Sequence, residues 1–300
     1  MTALREIAVQ VPPAVSLASL AGHLGLSPLD VRVFQRLHGL DQIVMATGLT
    51  YEEQMLRTAG NLAGLTADAD RIRYVIAARS DLPISQTRAF PIHDIAAKLG
   101  LPEDVTCLVI AEHACASGLL SVDLAGRLLR RDGEAGALAL VLTGEKAGAP
   151  SVQHIPNITI MAEGSAAILV AADGERDQVL SYVARTGHGG VATYQDEYPY
   201  VFAEVMTEAV RQAGLAWDDI AVVLPHNVNR VSWVRLARVL DLPLERVYLD
   251  NVTAQAHSFS ADAFINYVAA RAAGQLRPGD PYLMTASGIM TVAAAMVLRH

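Results

Sequence analysis

Cysteine is nearly absent from this chain. Its 300 residues hold two, Cys107 and Cys115, both on one short segment. Such a pair makes no disulfide framework, and a reduced, cytoplasmic protein is the expectation. Aromatic residues amount to only 5%, which leaves the core to Ala, Val and Leu. Basic residues are outnumbered 23 to 31 by acidic ones, for a net charge of −8. A nucleic-acid binder needs a basic face to neutralise phosphates, so that class is excluded. No apolar run approaches the roughly 20 residues that span a bilayer, and the opening residues lack the apolar stretch of a secretion signal.

What is present is a chain that is 52% hydrophobic with a mean hydropathy of +0.30, long enough for two tightly packed halves. Strand-like runs alternate with helical ones, the pattern of a layered α/β protein. Strands are expected at 7–11, 73–78, 105–110, 137–143, 166–172, 220–224, 247–248 and 282–286. Helices are expected at 17–24, 28–37, 51–62, 92–99, 119–129, 200–213, 229–240 and 264–273. The polar stretch Asp173-Gly174-Glu175-Arg176-Asp177 divides an N-terminal half, 1–172, from a C-terminal half, 173–300.

Chemistry concentrates first at Ala114-Cys115-Ala116-Ser117-Gly118, between the strand at 105–110 and the helix that follows. Small neighbours let the backbone turn sharply, and a helix N-terminus favours a thiolate over a thiol. Strand-to-helix turns of this kind often carry nucleophiles. A small buried hydrophobe is the plainer reading of Cys115. Three later stretches add to it. Pro225-His226-Asn227-Val228-Asn229 turns from a strand into a helix, and Ala256-His257-Ser258-Phe259-Ser260-Ala261-Asp262 sets a histidine five residues before an aspartate. The third, Thr285-Ala286-Ser287-Gly288, leads a strand into a glycine turn.

In this order and spacing the set resembles the thiolase superfamily, and within it the ketoacyl-ACP synthase III branch. Gly164-Ser165-Ala166-Ala167 is similar to that family's Gly-Asp-Gly-Ala-Gly stretch with one glycine kept. The resemblance implies a five-layered αβαβα fold with two pseudo-symmetric halves, and a homodimer. It places Cys115 at the acyl-accepting cysteine, His226 at the catalytic histidine, and Gly288 at the glycine whose amide completes an oxyanion hole with that of Cys115. His257 stands where the family usually carries an asparagine.

That departure bears on function. A histidine and an asparagine together suit the enolate of decarboxylative condensation, because two neutral donors meet one charged oxygen. A second histidine is a titratable base instead, and Asp262 can hold its tautomer as the acid of a Ser-His-Asp triad does. The pattern is similar to divergent synthase III homologues that pass acyl groups to hydroxyls, amines or carrier-protein thiols in specialised metabolism, polyketide biosynthesis among it. The implied substrates are an acyl-CoA or an acyl thioester on a phosphopantetheinyl carrier protein, plus a small-molecule acceptor, with no resident cofactor or metal. A malonyl-dependent condensing enzyme is the alternative, and a non-catalytic partner subunit is a third reading. Asn251, six residues before His257, is a second occupant for the condensing asparagine's position.

Other residues carry weaker signals. Asn229 and Asn251 are candidate substrate contacts. So is His188, within a glycine loop that is equally a plain surface loop, and so is His113, which could equally pack beneath the cysteine turn. Glu112 is open between a structural partner and a polar wall. Arg230, Arg235 and Arg238 follow the His226 turn, where family members dock acidic carrier protein. Solvated helix faces are the plainer reading of these and of Arg127, Arg130 and Arg131.

Overall fold

The computed structural model describes residues 1–80, 90–186, 191–288 and 292–300, with 191–196 described by their backbone alone. Among the described residues a nine-stranded sheet organises the chain. Its first half comprises β1 (Ala3–Gln10), α1 (Tyr51–Gly60), β2 (Ile72–Ala78), α2 (Ile92–Lys98), β3 (Thr106–Ile110), α3 (Ser117–Asp132), β4 (Leu138–Gly144) and β5 (Ser165–Ala171). The second comprises β6 (Gln178–Thr186), α4 (Val191–Gln212), β7 (Val222–Leu224), α5 (Arg230–Leu240), α6 (Asp250–Gln255), α7 (Asp262–Ala272), β8 (Pro281–Gly288) and β9 (Val292–Arg299). No helix of the described residues is long and apolar enough to cross a membrane.

The strand order is β7-β8-β9-β6-β1-β5-β4-β2-β3, and its middle is thin. β1 meets β6 at one register pair, Ala3 with Gln178, but runs along β5 from Ala3–Ala171 to Gln10–Ser165. On either side of that joint the order repeats. In chain order, the first half reads first, fifth, fourth, second, third strand. The second half reads the same once the parallel bridge of Val247 to Val223 is counted as its third position. Directions repeat too: β2 is parallel to β3 and β4, β7 is parallel to β8, and the remaining neighbours are antiparallel.

Alternation along each strand builds the layers, since successive side chains face opposite ways. Ile76, Ala139, Val141 and Ile168 face inward with Met284, Ala294 and Met296 of the other half. Between them lie Leu119 and Val122 of α3 and Phe264 and Ile265 of α7. The opposite faces, Val75, Leu138, Leu140 and Leu169, pack under Met55 of α1 and Ile95 of α2. Val223, Leu283 and Val297 pack under Phe202 of α4 and Trp233 of α5. The result is α, β, α, β, α. Parallel strands covered on both faces need near-continuous apolar runs, and β2 and β4 have them. Residues 14–44 form a cap whose Leu17, Phe34, Leu40 and Ile43 pack on Ile160 and Val252.

Several elements differ from expectation, and β9 and α6 are absent from the expected strands and helices. β6 is absent from the predicted strands because Ser181 and Arg185 break its apolar pattern. α4 begins well before residue 200 and carries Pro199 within it.

Candidate active site

β3 ends at Ile110, and the chain turns through Ala114, whose φ of +45° is left-handed. A 3-10 turn, Ala114–Ala116, then feeds α3. Cys115 in that turn is 5% exposed. Its sulfur lies in a small apolar cluster with Ala147, Met161, Phe259 and half-buried Ile155. The Ser80 hydroxyl donates to Cys115 Sγ at 3.3 Å, and the Ser80 amide donates to the Glu145 carboxylate. β8, which ends at Gly288, packs against the Cys115 turn.

His257 follows α6 after Ala256, whose φ of +63° and ψ of −161° fall in a region that glycine alone adopts freely. The strained turn is held by its neighbours. The Ala162 amide donates to the His257 carbonyl at 2.7 Å. Asp262, the first residue of α7, accepts three hydrogen bonds. His257 Nδ1 lies 2.5 Å from its Oδ2, the Ser258 amide donates to Oδ1 at 2.7 Å, and the Asn227 amide donates to Oδ2 at 2.5 Å. With Nδ1 taken, Nε2 is the nitrogen left for Cys115. Burial pulls the His257 pKa down, but the charges and hydrogen bonds of Asp262 and Cys115 prevail and raise it to about 10.

His226 is 2% exposed and its ring centroid lies 6.2 Å from that of His257. Trp233 Nε1 donates to its carbonyl at 2.9 Å, and the rings of Phe202 and Trp233 flank its imidazole. Burial, reinforced by the charge of His257, pushes its pKa well below 6.5, which keeps it neutral. His226 Nε2 lies 2.7 Å from the Tyr198 hydroxyl. Nδ1 is buried with no partner among the described residues.

The structure therefore brings Cys115, His257, Asp262 and His226 together from both halves, with Gly288 ending the neighbouring strand. Asn251 lies in a buried amide chain, donating to Asn266 Oδ1 at 2.8 Å and accepting from Gln255 at 2.9 Å. Asn229 caps α5, accepting from the Ser232 amide at 2.7 Å and donating to the Ile158 carbonyl at 3.0 Å. It also lines a cavity of about 190 Å³ with Tyr198, Ser232, Arg235 and His38. Arg230, Arg235 and Arg238 are all exposed on α5. Half-buried His113 has its Nδ1 3.3 Å from the Tyr182 hydroxyl, while His188 lies outside the described residues. Sequence reasoning missed Ser80 and Tyr198. Ser80 follows the carboxyl end of a parallel strand, beside the one that precedes Cys115, and ligand sites favour that edge. Tyr198 carries no comparable signal.

Residues 210–300 match the family model for the C-terminal part of 3-oxoacyl-[acyl-carrier-protein] synthase III, a stretch that contains both histidines, Asp262 and Gly288. A β-ketoacyl-[acyl-carrier-protein] synthase III of Roseiflexus sp. is 40% identical over 92 residues, 31% of this chain and 28% of that protein. The Roseiflexus castenholzii enzyme is 31% identical over 179 residues, 53% of this chain and 52% of that one. The aligned stretches thus span only 28% and 52% of these curated relatives. Solved structures match over the whole chain. The acyltransferase ChlB3 superposes with a TM-score of 0.85 at 18% identity, covering 99% of this chain and 97% of its own. Aquifex aeolicus 3-oxoacyl-[acyl-carrier-protein] synthase III gives 0.82 at 19% identity, covering 100% of both chains. The fold is the α/β thiolase-like one. In sequence the chain is similar to 3-oxoacyl-[acyl-carrier-protein] synthase III proteins, over residues 210–300 by the family model and over about half its length in the Roseiflexus castenholzii enzyme.

Proposed function

We propose that this protein is an acyltransferase that loads an acyl group from a CoA or carrier-protein thioester onto Cys115 and passes it to a hydroxyl, amine or carrier-protein thiol. The observation that carries the reading is the His257–Asp262 pair, Nδ1 to Oδ2 at 2.5 Å, set against Cys115. Thiolate and imidazolium stabilise each other in the resting site. The Cys115 sulfur attacks the thioester carbon, and the oxyanion rests on the backbone amides of Cys115 and Gly288. One such donor is worth about 100- to 1,000-fold in rate. The carbon–sulfur bond to the donor breaks, and His257 gives its proton to the departing thiolate.

His257 is then neutral, and the acylated sulfur no longer carries the charge that supported its protonation. It is ready to act as a base. The acceptor's proton moves to His257 Nε2 as its heteroatom bonds to the acyl carbon, and the Cys115 thiolate leaves beside a re-formed imidazolium. On this reading the exposed Arg230, Arg235 and Arg238 receive an acidic carrier protein. Condensation would instead require two neutral donors on the oxygen of an enolate, and a histidine clamped to a carboxylate at 2.5 Å makes a better base than such a donor.

The test is intact-mass spectrometry with a panel of acyl-CoA and malonyl-CoA donors, Cys115→Ala alongside, and CO₂ measured in the same tubes. The expected result is an acyl adduct that vanishes in Cys115→Ala and forms without decarboxylation. Stoichiometric CO₂ with a ketoacyl product would make the protein a condensing enzyme. No adduct with any donor would point to a non-catalytic subunit.

A further inference from the structure

His226 is the residue a condensing mechanism would aim at a thioester oxygen, and in this molecule its Nε2 is engaged. The Tyr198 hydroxyl lies 2.7 Å from it, with the two rings edge-on at 6.1 Å. Tyr198 is itself held against Phe202, centroids 5.4 Å apart, and Phe202 is fully buried. On its other side Tyr198 lines the cavity shared with Asn229, Ser232 and Arg235, which His226 does not line. A group approaching from that cavity meets the phenol before the imidazole.

A neutral imidazole has one N–H. If the phenol donates to Nε2, the proton sits on Nδ1, which faces no partner among the described residues. If Nε2–H donates to the phenol, Nδ1 is bare. In both tautomers Nε2 can serve a substrate oxygen only after the bond to Tyr198 breaks.

We propose that Tyr198 is a specificity-determining residue that occupies His226 Nε2 and so withholds from the site the second donor that malonyl decarboxylation needs. The inference rests on the acyl-transfer reading above. Decarboxylation breaks the bond between the malonyl carboxylate and the α-carbon, releases CO₂, and leaves an electron pair delocalised onto the thioester oxygen. That oxygen needs donors as charge builds. Acyl transfer builds its charge instead at the acyl carbonyl attached to Cys115 and takes its proton through His257.

The experiment compares Tyr198→Phe with the wild-type protein for CO₂ released from malonyl-CoA relative to acyl transferred. Histidine-selective ¹⁵N labelling reports His226 Nε2 in both. The ratio should rise about tenfold, the scale of one hydrogen bond competing for one nitrogen, as the Nε2 resonance shifts. A ratio within about twofold of wild type, with that resonance shifted, would overturn the role of Tyr198. The wild-type protein judges the acyl-transfer reading separately: if it alone already makes ketoacyl product, that reading fails whatever the variant does. Should Tyr198→Phe not fold, 3,5-difluorotyrosine at 198 keeps the ring and strengthens the phenol as a donor. It should lower the ratio, and an unchanged ratio counts against the proposal.

Discussion

Asp262 shows how much one residue can decide. Its two oxygens accept from the His257 ring and from the amides of Ser258 and Asn227, so it fixes both histidine-bearing turns at once. Asparagine has the same shape but offers one acceptor oxygen and one donor group. Turning its NH₂ toward Ser258 sets one donor against a donor, whereas turning it toward His257 and Asn227 sets it against two. Asp262→Asn should therefore keep the His257 tautomer and lose the carboxylate charge. Acyl transfer is expected to fall by about 10²- to 10⁴-fold, followed as the rate of adduct formation on Cys115. Stability should fall by about 1–3 kcal/mol for the unsatisfied amide. Near-wild-type acylation would remove Asp262 from the mechanism. His257 and Asp262 were legible in the sequence because five residues separate them in a small-residue turn, a local relation. Tyr198 reaches His226 only through the packing of α4 on the second half of the sheet, and no local pattern announces such a contact.

At the scale of elements, α3 and α7 must approach closely for Cys115 to meet His257, and Gly118 marks the contact. A Cβ built there would lie 2.6 Å from the Ser260 carbonyl oxygen and 3.0 Å from Phe264 Cε2. Ser260 sits in the 3-10 turn Phe259–Ala261, which runs directly into Asp262. Its carbonyl cannot withdraw without moving the acid. Glycine to alanine inside a helix ordinarily stabilises by about 0.5–1 kcal/mol. Here the overlap reverses the sign, and Gly118→Ala should destabilise by about 1–3 kcal/mol, measured by urea unfolding. A more stable variant would mean that the two helices are not in close contact. Burial on both faces demanded an unbroken apolar run in β2, β4 and β5, and their positions were readable from it. β6 escaped because it is only half covered over most of its length, and its alternation is blurred by polar residues.

At the scale of the whole molecule, the first half contributes Cys115 and the second contributes both histidines and Asp262, so the site exists only when the halves are docked. Its two histidines are perturbed in opposite directions, and this gives stability a particular dependence on pH. An unfolded histidine titrates near 6.5. His226 is held neutral well below that by burial, with the charge of His257 adding to it. Below pH 6.5 the unfolded chain binds a proton there that the native state refuses, and stability falls as pH falls. His38 and His113, also lowered by burial, act in the same direction. For His257 burial is outweighed by the charges and hydrogen bonds of Asp262 and Cys115, and its pKa rises to about 10. Its contribution is complete below pH 6.5 and is lost as pH rises toward 10, where the native state alone retains the proton. Each proton contributes a slope of about 1.4 kcal/mol per pH unit, so stability should fall as pH drops below 6.5. Urea midpoints from pH 5 to 7 test this, with His226→Gln flattening the decline. A wild-type curve that stays flat from pH 7 to 5 would mean that His226 takes up a proton in the native state, and its contact with Tyr198, 2.7 Å from ring to phenol, would then have to hold an imidazolium.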